Sequence, residues 1–389
     1  MSGHSAPVET EWTLLLAACS DSPAKEKTYR ILRLLHSPIQ WSKVLDLADR
    51  HGVQPILTQA VGAVEDQVPA EAFTALKQNY QANLRKALLL SREFVSIVDR
   101  FSQAGLEFIP YKGLALAETV YGDIALRQAG DIDLLIHATD LPQVRKAIAE
   151  LGYRPHHLFS ADEEEAYLRS GYESAFDGPA GKNLLEVQWA TQPRFYAVNL
   201  EMEGLFRRAV KATVVGVKVK TLCLEDLFVV LALHAAKHVW GKLIWLCDLA
   251  RVAGIPELAW KSIGDQAREL GIVRMLWVTL LLAEKLLDMP VPAAAQENLP
   301  EDFAAVSLAH EIEGYIASDR MFDVESRAYF NLMLRLRERR VDRMRFMSRL
   351  VLTPGPSEWA VTRLPKMLFP LYRLVRITRL GARMVSGRT

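Results

Sequence analysis

The sequence predicts an α+β fold, a small mixed β-sheet held between N- and C-terminal helical regions. Three textures along the chain carry this reading. From about Trp12 to Ala104, apolar residues recur at three- and four-residue steps; from Gly105 to about Leu222, short β-like runs alternate with helical stretches; from Cys223 onward the helical period returns. The expected organisation is a helical region over 1–104, an α/β core over 105–222 and a helical domain with a basic tail helix over 223–389.

In the first region Ile31, Leu32, Leu34 and Leu35, and again Leu84, Ala87, Leu88 and Ser91, mark helix faces. Pro23, Pro38, Pro55 and Pro69 divide the region into several short helices, of which Ala82 to Phe101 reads as the last and longest. In the second region Leu106–Tyr111 reads as a strand, Leu114–Tyr121 as a helix, and Asp131–Ile136 as a strand with polar residues at its start. Asp140 is placed to cap a helix that runs to Leu151 and stops at Gly152. Tyr172–Phe176, Leu184–Trp189 and Val214–Leu222 are further strands, with Gly178, Pro179 and Gly181 turning the chain between the first two. In the third region Glu225 and Asp226 suit the positive first turn of a helix running through His238. Helices follow at 260–270, 273–287, 303–317 and 329–352; Pro354 and Pro356 then break the chain before a final basic helix, Glu358–Met384.

Of 389 residues, half are hydrophobic, 24% are charged, and the formal net charge is +1. Such a balance buries an ordinary core and carries no global bias toward nucleic acid or membrane. Cys19, Cys223 and Cys247 are odd in number and include no CxxC pair, which argues against a disulfide framework and a structural zinc site. Met1 to Glu11 lacks the basic-then-apolar pattern of a signal peptide, and the apolar runs Leu227–Ala236 and Leu276–Ala283 are too short to span a bilayer. A cytoplasmic location is the expectation.

The segment that bears chemistry begins at Tyr111-Lys112-Gly113 and continues through Arg127, Asp131-Ile132-Asp133 and Leu185-Glu186-Val187-Gln188-Trp189. Side chains two apart on a strand share a face, so Asp131 and Asp133 project together. Two such carboxylates repel unless a cation lies between them, and hard oxygen ligands suit Mg²⁺ or Mn²⁺. If the strand of Glu186 neighbours that of the aspartates, a third carboxylate joins them, and three acids can hold two metals. Each signal has a plainer reading. A lone Asp-x-Asp occurs often by chance, and Glu186 can be a surface acid. Lys112 can be a solvated turn lysine, and Arg127 can pair with Asp123. His234 and His238 share a helix face. With Lys237 they either line a cleft or hydrogen-bond Asp248. The Ala-Ala-Lys between the histidines lacks the acid of a zinc peptidase motif. Trp240 and Trp245 read as core.

The string Tyr111-Lys-Gly-Leu-Ala-Leu-Ala, Tyr121-Gly-Asp, Leu126-Arg, Gly130-Asp-Ile-Asp-Leu-Leu-Ile and Leu151-Gly-Tyr resembles the uncharacterised, bacterial-type nucleotidyltransferase family of the DNA polymerase β-like superfamily. The segments Leu185-Glu-Val-Gln-Trp and His234-Ala-Ala-Lys-His-Val-Trp240, followed by Leu243 to Leu249, are similar to its third-acid strand and its C-terminal helical motif. The likeness extends over about residues 12–376 and is strongest between Tyr111 and Asp248. It implies a nucleotidyltransferase core built on the small sheet. It also implies an Mg²⁺- or Mn²⁺-dependent enzyme that moves a nucleoside monophosphate from a nucleoside triphosphate, with ATP the expected one, to an acceptor hydroxyl and releases pyrophosphate. Through the resemblance Asp131, Asp133 and Glu186 become the catalytic metal ligands, and Lys112, Gly113, Arg127, His234, Lys237 and His238 the nucleotide contacts. The acceptor is a small molecule, sugar, peptide or protein; nothing in the sequence has the pattern of a nucleic-acid module. Lys112-Gly113 replaces the usual Gly-Ser, and Gln188 stands where relatives often have histidine. These departures motivate an alternative, a catalytically inactive module that binds a nucleotide, peptide or partner. The tail, with Lys366, Arg373, Arg376, Arg379 and Arg383 among Leu368, Leu371, Leu374, Val375 and Leu380, reads as a helix docked by its apolar side. Its alternative is a peripheral contact with an anionic membrane.

Overall fold

The computed structural model describes residues 9–128, 130–179, 181–318 and 326–386. It opens with α1 (Thr10–Cys19), α2 (Ala24–Leu35), α3 (Trp41–Arg50), α4 (Gln54–Gly62) and the 34-residue α5 (Ala70–Gln103). Pro23 and Pro69 stand immediately before α2 and α5, and Pro55 lies in the first turn of α4. There a missing N–H costs the helix no bond. The last helix begins twelve residues earlier than the periodicity indicates, at Ala70 instead of Ala82. Asn83 interrupts its buried stripe with a polar side chain, which is satisfied by donating to the Ala125 carbonyl at 3.0 Å.

The central part runs β1 (Phe108–Pro110), α6 (Gly113–Thr119), β2 (Ile132–Ile136), α7 (Leu141–Glu150), β3 (Arg154–Pro155), α8 (Ala161–Ser170), β4 (Glu173–Gly178), β5 (Gly181–Gln188), α9 (Met202–Arg208), β6 (Val210–Val214) and β7 (Val217–Thr221). Five strands form one sheet in the order β1-β2-β5-β4-β3, and β6 and β7 pair separately. Only the β2–β5 pairing is parallel, so the main sheet is mixed. Its apolar face, with Ile132, Leu134, Leu185 and Val187, packs with Phe94, Ile97 and Phe101 of α5 and Val144 and Ile148 of α7. This is the α+β architecture the sequence predicts.

Several local expectations are corrected. Asp140 makes no side-chain cap; it ends a single 3₁₀ turn, Ala138–Asp140, ahead of α7. The segment 161–170, to which the sequence reading assigns no element, is helical, and Ser160 and Glu163 complete a reciprocal capping box at its start. The strand expected over Val214–Leu222 is the second half of a hairpin: β7 covers Val217–Thr221, and Val214 ends its partner β6. The turn residues Val215 and Gly216 both have positive φ, 51° and 76°. Valine disfavours that conformation, and the Val215 N–H is held by the carboxylate of Glu118.

The remaining helices are α10 (Leu224–Lys237), α11 (Leu243–Ala253), α12 (Trp260–Leu270), α13 (Val273–Leu287), α14 (Ala293–Asn298), α15 (Phe303–Ala317), α16 (Arg327–Arg335), α17 (Arg340–Leu352), α18 (Pro356–Trp359) and α19 (Tyr372–Ser386). The expected single helix over 329–352 is two, because Arg337 turns inward between them. Its guanidinium is buried, lies 4.8 Å from the Tyr196 ring and 4.0 Å from the Phe346 ring, and donates to the Tyr196 carbonyl. The expected final helix is also divided: a 3₁₀ stretch, Lys366–Leu371, follows Pro365 and contains Pro370, and the α-helix resumes only at Tyr372. Glu358 is fully buried and accepts from Arg376 at 3.2 Å and Arg379 at 2.7 Å, which fastens α19 to α18. Leu374 and Ile377 remain exposed, and the side chain of Arg383 lies outside the described residues. Among the described residues no helix is long and apolar enough to cross a membrane.

One buried histidine ties the first helices to the last region. His51 is 7% exposed; its Nδ1 accepts from the Leu243 N–H at 3.3 Å and its carbonyl accepts from the Ile244 N–H at 3.1 Å. Burial, reinforced by the Arg50 and Lys242 charges, lowers its pKa from 6.5 to about 4. The folded protein therefore keeps it neutral where the unfolded chain takes up a proton. Its contribution is fully present above pH 6.5 and is lost as pH falls through that value toward about 4. At 1.36 kcal/mol per unit the full loss is about 3 kcal/mol. The melting temperature is expected to fall between about pH 7 and about pH 5, and to fall less steeply in His51→Gln, whose amide accepts the same bond without titrating. Equal slopes in thermal melts of the two proteins would reject this assignment.

Candidate metal centre

The parallel pairing of β2 and β5 sets Asp133 directly opposite Glu186. Alternation turns their neighbours Leu134, Leu185 and Val187 into the core and leaves the acids on the other face. Asp131 lies one residue before β2 and joins them, so that oxygens of Asp131, Asp133 and Glu186 all lie within 4.8 Å of one another. The condition placed on Glu186, that its strand neighbour the aspartates, is met.

The acids are not left to solvent. Lys112 Nζ is 2.7 Å from Asp133 Oδ1. The Tyr111 hydroxyl donates to Gln188 Oε1 at 2.5 Å, which turns the Gln188 amide to donate to Asp133 Oδ1 and Glu186 Oε2, both at 3.3 Å. Tyr111 and Gln188 thus orient the carboxylates, a role the sequence reading did not assign. Burial, then the Asp133 charge, pushes Asp131 up to about 6. Burial, then Asp133, Glu173 and Asp131, pushes Glu186 up to about 8. Burial opposes the charge of Lys112, but Asp133 outweighs it and holds the ammonium well above its ordinary range. One buried ammonium among three close carboxylates leaves the cluster short of positive charge, and its donors are all hard oxygens. A divalent cation of the Mg²⁺ or Mn²⁺ kind fits that deficit and that donor set.

Gly113 has φ of 52°, and a Cβ there would lie 2.8 Å from the Asp131 carbonyl. Only glycine lets α6 start so close to the Asp131 backbone. Arg127 departs from the expected pairing with Asp123. Asp123 instead accepts from the Ala125 N–H, and Arg127 makes a two-pronged pair with Asp248, Nε to Oδ1 and Nη2 to Oδ2, each at 2.9 Å. The Tyr121 hydroxyl adds a third bond to Asp248 at 2.7 Å, and Arg127 and Asp248 are both buried. Asp248 is consequently not the partner of the histidines. The His234 and His238 rings instead each lie 5.3 Å from the Trp245 ring. Burial, then neighbouring lysines, lowers His234 well below its ordinary value and His238 to about 3, so both are neutral imidazoles. Lys237 Nζ donates to the Tyr172 hydroxyl at 2.9 Å, and burial lowers its pKa to about 8.

The predicted side chains of Lys112, Arg127, Asp131, Asp133, Glu186, His234, Lys237 and His238 line one cavity of about 400 Å³. Two exposed lysines the sequence reading did not single out, Lys86 of α5 and Lys242 before α11, line the same cavity. No motif marks them, because Lys86 lies in ordinary helical sequence and Lys242 in the turn before α11, both far in sequence from the Asp-x-Asp strand. The cavity sets carboxylates on its floor against cationic side chains around them, the charge arrangement of a site for a metal-bound polyphosphate.

A family model described as an uncharacterised nucleotidyltransferase matches residues 37–288, more than half of the chain and the whole lining of this cavity. No curated protein and no solved structure matches the chain.

Proposed function

The chain belongs to the uncharacterised nucleotidyltransferase family, and from that premise we propose that it moves a nucleoside monophosphate from a nucleoside triphosphate, ATP first among them, to an acceptor hydroxyl. The observation that carries the reading is the group of three carboxylates within 4.8 Å, seated in a cavity rimmed by lysines. Mg²⁺ or Mn²⁺ held by Asp131, Asp133 and Glu186 would neutralise the polyphosphate and acidify the attacking hydroxyl. The acceptor oxygen forms a bond to the α-phosphorus, the bond from that phosphorus to the bridging oxygen breaks, and pyrophosphate leaves. The hydroxyl proton passes to the carboxylate of Glu186. Lys112, Lys86 and Lys242 contact phosphate oxygens, and Gly113 lets the polyphosphate approach the backbone. Arg127, held rigid by Asp248, offers its remaining Nη1 end to a phosphate. The neutral rings of His234 and His238, packed on Trp245, would offer an uncharged aromatic surface to the base, and Lys237 lines the same cavity. Positioning and charge neutralisation then supply most of the rate. The unpaired cysteines support a reducing, cytoplasmic setting.

A second reading has its own observation. The ammonium of Lys112 already neutralises Asp133 at 2.7 Å, as a cation would, and a protein so built can bind nucleotide without transferring it. The test is label transfer. Protein, Mn²⁺ and each nucleoside triphosphate labelled at the α-phosphate are incubated with cell extract. Label appearing in a new, non-nucleotide product is the expected outcome. Nucleotide and Mn²⁺ binding without transfer would favour the second reading, and binding of neither would reject both.

A further inference from the structure

A second cavity, of about 330 Å³, opens beside the first, and Tyr172, Lys237 and His238 line both. Its walls come from the end of α8, from the stretch before α9, from α16 and from the α18–α19 region. From these volumes and linings we infer that this second cavity holds the acceptor, and that the acceptor is a compact, largely apolar, ring-bearing alcohol or phenol. The inference rests on the transferase reading and gives that reading a substrate class.

The lining is aromatic and aliphatic, with Tyr167, Phe195, Phe330, Leu350 and Leu380 among its members. Its charged side chains and the hydroxyls of Ser170 and Tyr329 are already committed within the protein. Ser170 donates to the Ala166 carbonyl at 3.1 Å, and the Tyr329 hydroxyl donates to the Lys237 carbonyl at 2.9 Å. Glu358 accepts from the Gly355 N–H at 2.8 Å as well as from Arg376 and Arg379, so its charge is met. A sugar needs uncommitted donors and acceptors around its hydroxyls, because burying them unpaired is costly. A wall of this composition offers an apolar body a close fit instead. The volume lies near the lower end of the roughly 300–1,000 Å³ of small-molecule sites. It suits one or two rings and is far too small for a folded protein or an RNA strand. The Tyr172 hydroxyl and Lys237 ammonium, 2.9 Å apart, stand where the two cavities meet. An acceptor seated against the aromatic wall presents its hydroxyl past this pair to the carboxylates. There its oxygen bonds to the α-phosphorus, pyrophosphate departs with the electrons of the broken bond, and the proton passes to the acidic cluster.

The probe is 2-naphthol, titrated by its own fluorescence into the full-length protein. It is then offered with labelled ATP and Mn²⁺ beside glucose at equal concentration. Ser357→Trp fills the cavity from an exposed position that makes no side-chain hydrogen bond among the described residues. Thr353→Trp fills it from the other side of Pro354, should the first variant melt below the wild type. The expected result is saturable naphthol binding that weakens at least tenfold in the filled variant, and label on naphthol but not on glucose. Equal affinity in wild type and filled variant, or no binding at all, overturns the cavity's role. Naphthol binding without label transfer to it, in protein that fails to bind ATP and Mn²⁺, overturns the transferase reading and the acceptor role with it. Label transfer to glucose in protein that ignores naphthol overturns the acceptor class alone.

Discussion

Asp131→Asn is expected to lower nucleotidyl transfer by roughly a thousandfold while leaving the metal-free protein as stable as before. A catalytic metal ion is worth several kcal/mol of transition-state stabilisation, and each 1.36 kcal/mol is tenfold in rate, so losing a ligand acts at that scale. Stability is spared because the Asp131 carboxylate is itself strained, held up to about 6 by burial and by the neighbouring Asp133 charge. The ion pair of Lys112 is made with Asp133, which this substitution leaves in place. Removing the charge relieves repulsion and strands no buried partner. The double substitution with Asp133→Asn is expected to abolish transfer as well, but it also leaves the Lys112 ammonium without its closest counter-charge and so lowers the melting temperature. The comparison separates chemistry from folding. Rates with labelled triphosphate and the Mn²⁺-dependent rise in melting temperature are to be measured for wild type, Asp131→Asn and the double variant. Full activity in Asp131→Asn would reject the metal role of this residue.

Asp248→Ala is expected to cost about 3–5 kcal/mol of stability, the usual penalty for removing one partner of a buried ion pair. The carboxylate is fully buried and accepts three bonds, two from Arg127 and one from the Tyr121 hydroxyl. Its loss leaves a buried guanidinium and a buried phenol unsatisfied. The pair also fixes the segment between α6 and β2 against α11, so nucleotide binding is expected to weaken together with stability. The double variant Arg127→Met/Asp248→Leu is expected to recover most of the lost stability, because apolar replacements of similar volume need no partners. It is not expected to recover nucleotide binding if Arg127 contacts phosphate. Urea unfolding of the two single variants and the double variant completes a mutant cycle. A coupling below about 1 kcal/mol, in the range of an exposed pair, would show that the contact is not buried as described.

What could be read from the residues in order is what depends on near neighbours. The helical period around Leu84 to Ser91 marks part of α5, the polar start of Asp131–Ile136 marks β2, and Glu225 and Asp226 mark the first turn of α10. Local reading failed where a distant group decides the backbone. Arg337 parts α16 from α17 because its buried guanidinium donates to the Met333 and Tyr196 carbonyls and lies over the Tyr196 and Phe346 rings. Val215 accepts an unfavourable turn beside a carboxylate from α6.

The candidate site divides along the same line. The sequence by itself determined that Asp131 and Asp133 share a face, since the two-residue period of a strand is a property of the backbone. Through family-like strings it also pointed to the family and to Glu186 as the third acid. Only the tertiary structure decided that Glu186 lies opposite Asp133, that Tyr111 aims Gln188 at both acids, that Arg127 belongs to Asp248, and that Lys86 and Lys242 share their cavity. All of those contacts but the bond from Gln188 to Glu186 join residues dozens of positions apart. Which buried charge meets which partner is settled by strand pairing and by the need to satisfy every charge taken from water, conditions that exist only once the chain has closed around them.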